Sequence, residues 1–166
     1  MSGLRIRPAS AEELPTVEEL LIEASEWLAS RGIDQWQFPP HRDRIQKAIR
    51  HAECFLAVDD EDRPIGTITV DDHADPEFWT EADDPGSALY VHRMATSRAA
   101  AGRDVGAVML DWATKRAAQQ GKGWLRLDAW KTNPGLHRYY ERQGFTLVRL
   151  VDLEHRKSGA LFQRPT

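Results

Sequence analysis

The stretch Leu89–Trp112, LYVHRMATSRAAAGRDVGAVMLDW, most constrains what this chain can fold into. Leu89 to Thr96 is rich in β-branched, aromatic and other apolar residues, which predicts a strand. Ser97 to Gly102 carries the small residues and the glycine of a turn. Val105, Val108, Met109, Trp112 and Ala113 then recur at the 3.6-residue period of one buried helix face. Strand, glycine-containing turn and helix together aim free backbone N–H groups at whatever lies ahead of the helix. The first four amides of a helix have no internal acceptor, and the helix dipole adds positive potential there. Such a terminus suits a negatively charged ligand.

The rest of the chain alternates helices and strands around that stretch. Leu4 to Arg7 reads as a first strand, and Ser10 with Glu13 forms an S-x-x-E capping box. Leu14, Val17, Leu21, Ala24 and Leu28 follow at helical spacing, with Pro15 in the first turns and Gly32 as a stop. GIDQWQFPP, Gly32 to Pro40, is a connector because of its two prolines, and Trp36 and Phe38 are bulky apolar groups on it. Arg42 to Ala52 predicts a second helix with Ile45, Ala48, Ile49 and Ala52 facing inward. Cys54–Val58 and Ile65–Val70 form a hairpin through DDEDRP. Asp71, Asp72, Asp75, Glu77, Glu81, Asp83 and Asp84 then crowd one stretch with no Lys or Arg among them. It is either a solvated loop anchored by Phe78 and Trp79 or an acidic rim that attracts a cationic amine. Gly121 and Gly123 precede a strand, Trp124–Trp130. Pro134 opens a short helix that Gly144 stops. Phe145–Val151 and Ala160–Gln163 are strands joined by EHRKSG.

A chain of 166 residues is read as one domain, 1–166, and 41 % hydrophobic with 29 % charged residues is ordinary for a globular protein. A net charge of −4 argues against nucleic acid as the main partner, for want of a basic field. The single cysteine, Cys54, excludes an internal disulfide and fits a reducing cytoplasm. Its setting, ECFLAV, predicts a buried small hydrophobe rather than a nucleophile. No 18-residue apolar run points to a membrane, and MSGLRIRPAS lacks a signal core. No H-E-x-x-H, C-x-x-C or clustered His/Cys spacing suggests a metal, and neither a G-x-S-x-G elbow nor a G-x-x-x-x-G-K-[ST] loop is present.

Two motifs carry a resemblance. AGRDVG, Ala101–Gly106, resembles the pyrophosphate loop of the GNAT acyltransferases, Q/R-x-x-G-x-G/A. NPGLHRYYERQGF, Asn133–Phe145, is similar to that superfamily's N-x-x-A-x-x-x-Y-E-x-x-G-F segment, and the two blocks stand in the family's order. The resemblance implies an α+β fold with a central mixed, largely antiparallel sheet of about seven strands flanked by four helices. It further implies an N-acetyltransferase that moves an acetyl group from acetyl-coenzyme A to a primary amine by direct attack in a ternary complex.

Residue by residue, the resemblance assigns coenzyme A to Ala101, Gly102, Arg103, Asp104, Val105 and Gly106 through the loop. It adds Met94, Ala95 and Thr96 on the splayed central strand and Asn133 at the pantetheine arm. Ala101 departs from the family's Gln or Arg, and Asp104 from its middle Gly; Asp104 also reads as a helix N-cap. Tyr140 matches the tyrosine that protonates the leaving thiolate, a phenol being protonated at neutral pH. Where some members carry a Glu on the central strand, this chain has Tyr90. His92, on the same strand face, is the candidate base, with Asp128 the second candidate and an acceptor-binding residue. Trp36 sits on the connector that commonly walls the acceptor pocket in the family; it either does so or folds back on the core. The acceptor is a small amine or a peptide amine, with no membrane partner, and a homodimer stays open. A second reading is a non-catalytic module of the same fold that binds or senses acyl-coenzyme A.

Overall fold

The computed structural model describes residues 3–33 and 40–166. Trp36 and Phe38 therefore lie outside the described residues. Among those described, seven strands form a mixed sheet in the order β1-β2-β3-β4-β5-β7-β6, with four α-helices and short 3₁₀ turns. The chain forms two compact units, Met1–Val70 with His92–Leu110, and Asp71–Val91 with Asp111–Thr166.

In the first unit β1 (Arg5–Pro8), β2 (Cys54–Val58) and β3 (Pro64–Asp71) form an antiparallel meander, with Ile6 opposite Ala57 and Leu56 opposite Thr67. Every residue of β2 is buried, as an unbroken apolar run requires. Val17, Leu20 and Leu21 of α1 (Leu14–Ser30) and Ile45, Ala48 and Ile49 of α2 (Arg42–Arg50) close over Cys54, Leu56 and Val58. The capping box forms ahead of α1: Glu13 Oε1 accepts from the Ser10 amide at 3.0 Å. The same carboxylate takes a two-pronged contact from the Arg7 guanidinium, 2.8 Å on each oxygen. α2 ends two residues short of the expected Ala52, which has φ +56° and turns the chain into β2. Cys54 is fully buried, as its setting predicts, and burial pushes its thiol pKa up.

The second unit is built on β5 (Trp124–Trp130). β7 (Ser158–Pro165) pairs antiparallel with β5 on one side and with β6 (Thr146–Leu150) on the other. β6 is the last strand of the sheet and carries a register shift between Leu147 and Arg149. β7 starts two residues before the expected Ala160, because Ser158 still pairs with Trp130 across a register shift that leaves Gly159 out of the pairing. Gly159 is required there: a Cβ would stand 2.0 Å from the Val151 carbonyl oxygen. β4 (Ala88–Thr96) is shared, giving Ala88–Val91 to this unit and His92–Thr96 to the first.

The acidic stretch is the most heavily anchored part of the second unit. Phe78 and Trp79 are buried with Tyr90 and Leu161. Asp83 takes Arg149 at 2.6 Å, and the Arg149 guanidinium also donates to the Phe78 carbonyl at 2.7 Å. Arg156 binds Asp75 and Glu77, each at 2.8 Å, and His155 stands 2.6 Å from Glu77. An anchored loop is thus what forms, with Asp75, Glu77 and Asp83 paired to cations of β6 and of the β6–β7 connection.

Candidate active site

The phosphate-facing candidate is local to the first unit. Gly66 on β3 lets α3 (Val105–Gln119) come close: a Cβ there would lie 3.0 Å from Val105 and 3.1 Å from Met109. Ser97 closes the end of β4, its amide donating to the Ile65 carbonyl at 2.9 Å. A 3₁₀ turn (Arg98–Ala100) then leads into Ala101, Gly102, Arg103 and Asp104, all exposed. Gly102 has φ +84° with nothing within 4 Å of a would-be Cβ, so a ligand can approach the backbone there. The first bond of α3 runs from the Val108 amide to the Asp104 carbonyl, 3.0 Å, which leaves the Val105, Gly106 and Ala107 amides ahead of the helical ladder.

Asp104 is thus the N-cap by position. Its φ of +54° is left-handed, however, and not the extended conformation from which an Asp side chain caps a helix. The family's glycine at this position has a backbone reason that the sequence alone does not display. The donor set of the loop, backbone amides and an exposed Arg103 at a helix start, suits a diphosphate. The exposed Asp104 carboxylate opposes it.

The strand leading to this loop is irregular in a useful way. β4 pairs in parallel with β5 from Ala88↔Trp124 to Val91↔Leu127. The ladder stops there although β4 continues to Thr96 and β5 to Trp130. Arg93 has φ +47°, which interrupts the pleat between His92 and Met94. Main-chain groups of Met94, Ala95 and Thr96 accordingly take no part in the β4–β5 ladder. Tyr90, at the position of the family's Glu, is a structural residue. It is buried, its hydroxyl donates to the Pro85 carbonyl at 2.9 Å, and it accepts from Arg126 at 3.2 Å.

The other candidates lie in the second unit. Asn133 caps α4 (Pro134–Arg142), its Oδ1 accepting from the Leu136 amide at 3.1 Å. Tyr140, one helical face along, is buried among the rings of Tyr139, Phe145 and Phe162, 5.5 to 5.8 Å between centroids. Burial pushes its phenol above the usual range, and Tyr139 and Asp128 push the same way. Among the described residues nothing accepts a hydrogen bond from its hydroxyl. Asp128 takes the Ser158 hydroxyl on Oδ2. Sequence reasoning missed Ser158, read as turn, and His137. His137 Nε2 lies 2.7 Å from the Trp130 carbonyl and, in the Nε2–H tautomer, ties α4 back to the end of β5.

A concavity of about 450 Å³ in the second unit is lined by residues including Lys131, Leu150, Asp152 and Arg156, and contains none of the expected site residues.

Comparison with known proteins follows the same outline. The model of the acetyltransferase (GNAT) family matches residues 19–145. An uncharacterized N-acetyltransferase of Bacillus subtilis (strain 168), YesJ, is 29 % identical over 151 residues, 88 % of this chain and 83 % of that protein. Among solved structures, a GNAT-family acetyltransferase of Listeria monocytogenes superposes with a TM-score of 0.83 at 22 % identity, covering 100 % of this chain and 98 % of that one. The PaiA N-acetyltransferase of Thermoplasma acidophilum, solved with coenzyme A, gives 0.74 at 18 % identity over 98 % and 99 %.

Proposed function

The chain belongs to the acetyltransferase (GNAT) family and is an acyltransferase whose donor is acetyl-coenzyme A; from that premise we propose that residues 1–166 act as one N-acetyltransferase domain. The acceptor is a primary amine, of a small molecule or a peptide, attacking directly in a ternary complex. Bound acetyl-coenzyme A supplies the acetyl group as a thioester.

The chain's own residues then divide the work. The loop Ala101–Gly106 would hold the diphosphate through the amides at the start of α3 and the Arg103 side chain. Main-chain groups of Met94, Ala95 and Thr96 orient the pantetheine arm and the carbonyl, with Asn133 assisting on the arm. Tyr140 keeps its proton until the thiolate leaves and donates it there. His92, or Asp128 steadied by Ser158, takes the proton of the acceptor ammonium, whose ordinary pKa is ~10.4. Asp128 and Trp36 belong to acceptor binding.

The observation that carries this reading is the setting of Tyr140: a phenol packed among the rings of Tyr139, Phe145 and Phe162, whose hydroxyl has no acceptor among the described residues and is left to donate to a ligand. Such a placed donor favours catalysis over a binding or sensing module. The test is thiol release from acetyl-coenzyme A across a panel of polyamines, amino acids, aminoglycosides and peptide amines. We expect amine-dependent release, and a loss of about 10²–10⁴-fold in kcat for Tyr140→Phe with coenzyme A affinity unchanged. Coenzyme A binding without release for any amine in the panel favours the sensing module. Release at the wild-type rate by Tyr140→Phe removes the assignment of the acid.

A further inference from the structure

We propose that Glu23 and Trp27 of α1 are positioning residues for the diphosphate loop, acting through Arg98. The inference rests on the assignment of Ala101–Gly106 to the diphosphate given above. Glu23 Oε1 accepts from the Arg98 amide at 2.5 Å. The Arg98 guanidinium lies 4.0 Å from the centre of the Trp27 ring, and Arg31 lies 4.7 Å from the same centre. Glu23, Trp27 and Arg31 stand four residues apart along one face of α1. That face borders the core face made by Val17, Leu20 and Leu21, with Trp27 two turns on from Leu20.

Arg98 is thus gripped at its backbone by a charge-assisted hydrogen bond and at its side chain by an indole. It opens the turn that carries the loop. The Ala101 amide donates to the Arg98 carbonyl and the Arg103 amide to the Ala100 carbonyl, both at 3.1 Å. A shift at Arg98 therefore carries through these two backbone links into the segment that leads to the Val105, Gly106 and Ala107 amides, which lie ahead of the helical ladder. Donors that must meet phosphate oxygens tolerate only about 0.5 Å of such drift. Ser97 fixes the other side of the turn through Ile65, so α1 supplies the second of two anchors.

Glu23 and Trp27 are half-buried, whereas Val17, Leu20 and Leu21 are the buried residues of α1. Glu23→Ala and Trp27→Ala should each raise KM for acetyl-coenzyme A about fivefold or more with kcat held, and by more than any fall in the thermal midpoint accounts for. Glu23→Gln, which keeps an oxygen for the Arg98 amide, should restore most of the affinity. Gly102→Val serves as the reference because it strains the loop itself. If Gly102→Val raises KM and the α1 variants do not, the anchor is wrong and the loop assignment stands. If Gly102→Val also leaves KM unchanged, the loop assignment fails first. Should KM in the α1 variants rise only in step with a falling midpoint, with no rescue by Gln, the contacts serve stability alone and the proposal is overturned.

Discussion

Asp104 shows how a single residue can meet a backbone demand and oppose the chemistry at once. The chain needs a left-handed φ of +54° before Val105, and Asp, unlike β-branched residues, tolerates that region at modest cost. Its carboxylate nonetheless sits in the loop assigned to a diphosphate. Asp104→Gly removes the charge and relaxes about 1 kcal/mol of backbone strain. Calorimetry should show coenzyme A binding several-fold tighter and a thermal midpoint no lower than that of the wild type. Asp104→Asn, which removes the charge and keeps αL tolerance, should capture most of the gain in affinity. Weaker binding by both variants would mean that the loop does not face a diphosphate. Tyr140 teaches the complementary lesson: its motif is legible in the sequence, but the rings it packs against include Phe162 on β7, far away in the chain.

At the scale of elements, the junction of β1 and α1 is the clearest case of sequence specifying structure. The S-x-x-E pattern forms the box it promises, and Arg7 adds a partner that lies three residues before Ser10. The Arg7 contact, with the Ser10 amide helping against a smaller burial effect, holds the Glu13 carboxyl down at about 2. A carboxyl depressed in the folded state stabilises fully above its ordinary value of 4.5 and loses that contribution as pH falls through about 2. Glu13→Gln should therefore cost about 1–2 kcal/mol in urea unfolding at pH 7 and far less near pH 2. A pH-independent difference would show that the ion pair contributes nothing.

Elsewhere the legibility of elements follows how local their causes are. β2 and β5 are recovered to the residue because apolar runs end at turn signals. The start of β7 and the end of the β4–β5 ladder are not, since both are decided by a partner strand far away in sequence. The positive φ of Arg93 leaves no mark in composition at all. The stripe Glu23, Trp27, Arg31 has no local signal of its role, because its partner Arg98 lies 75 residues from Glu23.

At the scale of the whole molecule, a net charge of −4 says less than where the charges are matched. The stretch from Asp71 to Asp84 looks in sequence like an electrostatic lure for cations. In the fold Asp75, Glu77 and Asp83 are bound by Arg149, Arg156 and His155. Arg149 holds Asp83 far below the carboxylate range. Arg149→Ala strands that carboxylate in a poorly hydrated place and should lower unfolding stability by about 2 kcal/mol, allowing for the partial exposure of the arginine. Its effect on kcat/KM for cationic and neutral amines should be equal; a selective change for cationic amines would restore the acidic stretch as an acceptor site.

The two outer strands have a consequence for how the protein behaves in a concentrated solution. β1 is only four residues long and ends on Pro8, which offers no amide to a neighbour. β6, which exposes Leu147 and Leu150, is broken by its register shift and carries Arg149 at the break. Neither rim is a flat, regular template, so sheet-to-sheet growth between molecules finds no straight border to start from.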